Sequence, residues 1–384
     1  MNARADAPRG NVHADGAGVY PDDPRPDADG ARRRAEGETP HAECRTARAD
    51  GWPPHVDPVG PNVDGAPPQA GCAGARAHGA SAAFSGAAPA DVEQARDRRV
   101  SVVVLTHNRA AEVTGTLERL ARLPERPRLV VVDNGSSDGT AARIERRFAD
   151  VEIVRLDANV GAAGRNAGVA RVRTPYVAFC DDDTWWAPGA LRRAADLLDA
   201  HPRIGAIAAR VLVGETLKED PACGDMANSP LEDSGLPGPA LLSFMAGAVV
   251  MRVQAFREAG GYEPRLFLGA EEWLMGLDLA ALGWQMVYAH EVVAHHHPSP
   301  SRDPRARRIA HARNLLWIAW MRLSAFAAWR ETRRVLRSAA ADRVLAPVVL
   351  EALCGLPWAL SRRRVLPRSV HRMHELVMAS RAAR

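Results

Sequence analysis

The feature that most constrains this chain is a series of four short apolar runs, each leading into a cluster of polar residues. The runs are Val100 to Leu105, Leu129 to Val132, Val151 to Leu156 and Tyr176 to Phe179. They have the length of buried strands and are largely apolar, as strands covered on both faces should be. Between them Val113, Leu117 and Leu120 recur at helical spacing, as do Ala141, Ile144 and Phe148. A third helix is expected from Pro188, carrying Leu191, Ala195 and Leu198 inward and stopping before Pro202. Strands alternating with helices predict an α/β fold: a mostly parallel central sheet flanked by helices, with right-handed crossovers.

In open sheets of this kind ligands bind beyond the carboxyl ends of the strands, and those ends are chemically loaded here. The first run leads to Thr106, His107, Asn108 and Arg109, and the second to Asp133, Asn134, Gly135, Ser136, Ser137 and Asp138. The third leads to Asn159, Gly161, Gly164, Arg165 and Asn166, and the fourth to Asp181, Asp182 and Asp183. Four strand ends are therefore expected to line one polar crevice.

Composition sets the bounds of the folded part. Before Leu105 there is no Leu or Ile, and the only aromatics are Tyr20, Trp52 and Phe84. Such a segment cannot bury enough surface to offset its ordering entropy, so residues 1–98 are expected to be a disordered tail. No apolar run of secretory type stands behind the N-terminus. The five cysteines, Cys44, Cys72, Cys180, Cys223 and Cys354, are scattered and form no CxxC pair, which argues against a disulfide framework or a zinc site. A cytoplasmic location is expected. The net charge of +4 does not call for a nucleic-acid partner, and none is expected.

Three adjacent carboxylates repel one another and stay ionised together only beside a cation or strong donors. Mg²⁺ or Mn²⁺, which favour one or two carboxylates plus phosphate oxygens and water, would suit Asp181 and Asp183 with a diphosphate substrate. Alone, the cluster equally fits an acidic turn capping a helix. Asp133, before a Gly-containing turn, could accept from a base or ribose, while Ser137 or Asp138 could simply cap the next helix. Arg165 could reach a base or phosphate, or be a surface arginine at a helix start.

Four segments, Val-Leu-Thr-His-Asn-Arg, Val-Val-Asp-Asn-Gly-Ser-Ser-Asp-Gly-Thr, Asn-Val-Gly-Ala-Ala-Gly-Arg-Asn-Ala-Gly and Phe-Cys-Asp-Asp-Asp-Thr, resemble in order and spacing the family 2 glycosyltransferases. The resemblance covers about residues 99–300 and continues through Phe244 to Arg252 and Phe256 to Tyr262. It implies a GT-A catalytic domain over residues 99–300, with a rhamnosyltransferase-like branch as one candidate. The nucleotide of a nucleotide-diphosphate sugar would be held by Thr106, Asn108, Arg109, Asp133, Asn134, Gly135, Asp138, Gly164, Arg165, Asn166 and Asp182. Asp181 and Asp183 would hold the divalent metal, and His295 or His297 matches the histidine that relatives place after the last strand. Glu272 matches the catalytic base, with Glu271 beside it as the alternative. Inverting single displacement onto a glycan, lipid-linked or small-molecule acceptor would result, in polysaccharide or glycoconjugate biosynthesis. Without the resemblance, Glu271 and Glu272 are acids in the exposed first turn of a helix, where the dipole suits them. The three histidines are then polar residues at a strand exit, with His295 and His297 on one face and His296 on the other.

Residues 301–384 form a basic, helical C-terminal extension. Leu315, Leu316, Ile318, Ala319, Trp320 and Leu323 are dense enough for a core or interfacial helix, interrupted by Arg322. Such helices could touch an anionic membrane peripherally, pack on the catalytic domain, or form a homodimer contact. Three other function classes fit less well. A haloacid-type phosphatase wants Asp-x-Asp-x-Thr where this chain has Trp185, and no Gly-x-Gly-x-x-Gly follows the first strand as in a dinucleotide oxidoreductase. A non-catalytic sugar-binding homologue would lack the metal cluster or the base.

Overall fold

The structure, a computed structural model, describes residues 97–298 and 303–383. The expected tail over residues 1–98 lies almost wholly outside that range, as do Cys44 and Cys72. The described elements run in order: β1 (Val100–Thr106), α1 (Ala110–Ala121), β2 (Arg128–Asp133), α2 (Thr140–Arg147), β3 (Glu152–Arg155), α3 (Gly164–Val169), β4 (Tyr176–Asp181) and β5 (Thr184–Trp186). Then come α4 (Ala190–Ala200), β6 (Ile204–Val213), β7 (Lys218–Glu219), α5 (Pro221–Ala227), β8 (Val249–Arg252), α6 (Val253–Glu258), α7 (Glu271–Ala281) and β9 (Gln285–His296). Four helices close the chain: α8 (Pro304–Arg322), α9 (Ala325–Ala341), α10 (Leu345–Ser361) and α11 (Arg368–Ala383).

The strands form one sheet in the order β3-β2-β1-β4-β8-β6-β9-β5, with β7 beside β6. From β3 to β4 every pairing is parallel, as the apolar runs predict. Beyond β4 antiparallel pairings enter, with β8 antiparallel to both β4 and β6 and β5 antiparallel to β9, while the long β6 and β9 pairing is again parallel. The sheet is mixed because β8 arrives from a long loop rather than through a helical crossover, which frees its direction. Helical periodicity placed the inward residues correctly: Val113, Leu117, Leu120, Ile144, Leu191, Ala195 and Leu198 are all buried. The third helix begins at Ala190 rather than Pro188, since Gly189 stands at φ +84° and completes the turn first.

The four C-terminal helices share the core of the sheet domain. Trp317, Ile318, Met321, Ala328, Ala359 and Val370 belong to the same apolar cluster as β1, β4 and β6. Arg322, which breaks the apolar pattern in the sequence, is buried and clamps α8 to α7: its Nη2 donates to Asp278 Oδ2 at 2.9 Å and its Nη1 to the Arg362 carbonyl at 3.1 Å. Asn314 is wholly buried and donates to the carbonyls of Leu266 at 2.8 Å and Gly269 at 2.6 Å, in the loop that leads into α7. Among the described residues no helix is long and apolar enough to cross a membrane.

Candidate active site

Parallel registers bring the polar strand ends level with one another. Thr106 pairs with Asp133, Asp133 with Arg155, and Leu105 with Asp181. Side-chain hydrogen bonds then fix the loops beyond them. Asn108, at φ +53°, donates its N–H to Ser136 Oγ at 2.9 Å, and its Oδ1 accepts from the Ser137 N–H at 2.8 Å. Asp138 accepts from the N–H groups of Thr140 at 3.0 Å and Ala110 at 3.2 Å. Asn134 donates to the Gly161 carbonyl and accepts from the Val160 N–H, each at 3.0 Å. Asn166 grips both backbone groups of Tyr262, at 2.8 and 2.9 Å.

Several residues expected to hold nucleotide are thus engaged in building the crevice. The glycines serve the same close packing. A Cβ on Gly135 would lie 2.6 Å from the Ala158 carbonyl carbon, and one on Gly164 would lie 2.7 Å from the Leu105 side chain. Other expected residues keep capacity for a ligand. The Thr106 hydroxyl is buried without a hydrogen-bond partner among the described residues, and Asp133 is buried, with Oδ1 accepting from the Ser136 N–H at 3.0 Å.

The three aspartates after β4 occupy different environments. Asp182 is buried against Arg109, whose Nη1 donates to it at 2.9 Å. Burial still pushes the Asp182 carboxyl up to about 7, with the neighbouring aspartates adding to the rise and Arg109 opposing it. Asp183 is buried between Arg109, at 3.4 Å, and His296. Asp181 keeps 41% of its side chain exposed and accepts from Arg165. Gly247 makes room for it, since a Cβ there would meet Asp181 Oδ2 at 2.7 Å.

Arg165 connects this cluster to the acidic pair that opens α7. Its guanidinium is buried, lies 5.6 Å from the Tyr262 ring centroid, and leaves Nε without a hydrogen-bond partner among the described residues. Glu271 and Glu272 come directly after Ala270, which stands at φ +63°. Glu271 is only 3% exposed and its Oε2 has no hydrogen-bond partner among the described residues, so it is no solvated first-turn acid. Burial raises both carboxyls above the usual glutamate range. The charge of Glu271 raises Glu272 further, and Arg165 pulls both back down.

The pairing of β9 with β5 sets where the three histidines stand. His295 and His297 do share a face, but their rings stand 5.5 and 5.0 Å from the Trp185 ring, which also carries the Arg119 guanidinium at 4.3 Å. The histidine beside the aspartates is His296, with Nε2 3.6 Å from Asp183 Oδ1. Strand alternation says which residues share a face, not which face turns toward the crevice. The register Thr184 to His296 decides that, and it involves a strand of three residues that no sequence pattern announced.

Among the described residues no three His, Cys, Asp or Glu side chains converge as a ready metal set. Hard divalent ions bound with phosphates need only one or two protein ligands, however. Asp183 and His296 suit that demand in kind, a buried carboxylate and an imidazole whose facing atoms lie 3.6 Å apart. Asp181 adds an accessible carboxylate nearby.

The chain is similar to known proteins in sequence and in fold. Residues 101–258 match the family described as Glycosyl transferase family 2. An N-acetylglucosaminyl-diphospho-decaprenol L-rhamnosyltransferase of Mycobacterium tuberculosis is 25% identical over 250 residues, covering 55% of this chain and 80% of that protein. A pre-mycofactocin glycosyltransferase of the same organism is 28% identical over 235 residues, covering 55% of this chain and 45% of that one. The structure of GalNAc-T7 with UDP, GalNAc and Mn²⁺ superposes with a TM-score of 0.50 at 13% identity, over 70% of this chain and 56% of that chain. The shared fold is GT-A.

Proposed function

We propose that this chain, whose residues 101–258 match glycosyl transferase family 2, moves a sugar from a nucleotide-diphosphate donor to an acceptor hydroxyl in one inverting step. The observation that carries the reading is Arg165, a buried guanidinium that donates to Asp181 at the end of β4 and whose charge lowers the acidic pair that opens α7. Donor and acceptor chemistry therefore meet around one buried cation.

Asp133 and Thr106 would take the nucleoside, and Arg109 and Arg165 would face its diphosphate. A divalent ion held by Asp183, with Asp181 or His296 as its second protein ligand, would neutralise charge on the leaving diphosphate. Glu272, less buried than Glu271, would accept the proton of the acceptor hydroxyl as its oxygen bonds to the anomeric carbon. The bond from that carbon to the diphosphate oxygen breaks in the same step, so the nucleoside diphosphate leaves and the anomeric centre inverts. A raised carboxyl suits this role, since it lies nearer the working pH than an ordinary glutamate. Glu271 would keep the pair's charge and Arg165 in place.

The relative's name suggests substrates: a rhamnosyl donor and a lipid-linked sugar diphosphate acceptor. The test is a panel of nucleotide sugars, with and without Mn²⁺, on wild type, Asp183→Ala and Glu272→Gln. Metal-dependent release of one nucleoside diphosphate, lowered about a hundredfold or more by Glu272→Gln while donor binding persists, is expected. Absence of donor binding with metal present would overturn the reading.

A further inference from the structure

Helix α10 has two unlike faces. Its inner face packs on α8: Val348, Ala352 and Ala359 are buried, and a Cβ on Gly355 would meet the Trp317 ring at 2.2 Å. Trp317 Nε1 also donates to the Ala352 carbonyl at 2.9 Å. The outer face carries Leu350 and Leu353, 67% and 60% exposed, with Cys354, Pro357 and Leu360 also exposed. These positions fall on one helical stripe. Between Leu345 and Ser361 the only charged residue is Glu351, which is paired with Arg313 at 2.9 Å.

The C-terminal end of the stripe is cationic, and at the other end Arg343 stands beside the exposed Asp342. Arg343 precedes the helix, and Arg362, Arg364 and Arg368 come after it, all exposed. A helix of 17 residues is roughly 25 Å long, so arginines stand at both ends of a continuous apolar strip. A surface meeting water alone has no use for such a strip. A second protein would explain the leucines but not the flanking arginines. An anionic bilayer explains both, because apolar side chains enter the headgroup boundary while arginines stay at the phosphates.

We propose that α10 is an interfacial helix that lays Leu350, Leu353, Cys354, Pro357 and Leu360 into the surface of an anionic membrane, with the flanking arginines on lipid phosphates. This moves the membrane contact away from the Leu315 to Leu323 segment singled out in the sequence. There Leu316, Ile318, Ala319 and Leu323 are buried in the core. The link to a lipid-linked acceptor rests on the glycosyl-transfer reading; the docking of α10 does not.

The full chain would be sedimented with vesicles of neutral phosphatidylcholine and of phosphatidylcholine with phosphatidylglycerol, at low and high salt. Binding to the anionic vesicles alone is expected. It should weaken about fivefold for each of Arg343→Gln and Arg364→Gln, and at least about tenfold for Leu350→Asp with Leu353→Asp. Because Leu350 and Leu353 are exposed, the double variant should fold, and nucleotide-sugar binding in the same samples checks that. With Cys44 and Cys72 replaced by Ser, an environment-sensitive dye on Cys354 should shift to the blue on anionic vesicles only. Equal binding to both vesicle types, undiminished binding of the leucine variant, or an unshifted dye would overturn the proposal. So would a solution dimer that the leucine substitutions dissociate, since the stripe would then be a contact between copies. Loss of donor binding with vesicle binding intact would instead count against the glycosyl-transfer reading.

Discussion

Asp183 and His296 make the most specific claim at the level of single residues. If they share an ion, His296→Ala should weaken Mn²⁺ activation about ten- to a hundredfold. His295→Ala, whose ring stacks on Trp185, should leave the Mn²⁺ titration near that of wild type. Equal effects at both positions would show that the ion does not lie beside Asp183. Arg165 sets the second claim, through pH. A general base works deprotonated, and burial holds the carboxyls of Glu271 and Glu272 above their ordinary range, so the rate should climb with pH above that range. Arg165 lowers both carboxyls, and its removal must raise them. Arg165→Met should therefore shift the rising limb of kcat/KM to higher pH, and an unmoved limb would separate Arg165 from the base. The stability sign is opposite. A carboxyl raised on folding binds its proton more tightly in the folded state, so its contribution is present at low pH and lost as pH rises toward its folded value.

At the level of elements, sequence and structure agree where periodicity carries the information. The four runs became β1 to β4, with β1, β2 and β4 buried and β3 a half-exposed edge strand, and the polar residues after them became the crevice, because a strand and its exposed end differ in composition. Three features had no such signal. The three-residue β5 is too short for a pattern, yet it decides which histidine meets Asp183. The antiparallel entry of β8 comes from a loop whose path no local residue dictates. Arg322 looked like an interruption in an apolar helix because its partner, Asp278, lies 44 positions away. That pair joins α7 to α8 and is largely buried, so Arg322→Ala leaves a carboxylate without its counter-ion. A loss of about 3 to 5 kcal/mol in denaturant unfolding is expected. A loss below about 1 kcal/mol would mean that water already screens the pair.

On the scale of the whole molecule, the chain divides differently in function and in packing. The family match ends at residue 258, and the acidic pair, the histidines and the C-terminal helices all lie beyond it. Packing recognises no such border, since α8 and α9 contribute to the core that also holds β1 and β4. Asn314 sets a limit on recombining this protein with a relative. Its amide supplies hydrogen bonds to the Leu266 and Gly269 carbonyls, immediately before the helix that presents Glu272. A chimera joined between β9 and α8 would inherit the loop from one parent and its support from the other. Exchangeable cassettes in this enzyme must therefore carry the segment from α7 through α11 as a single piece.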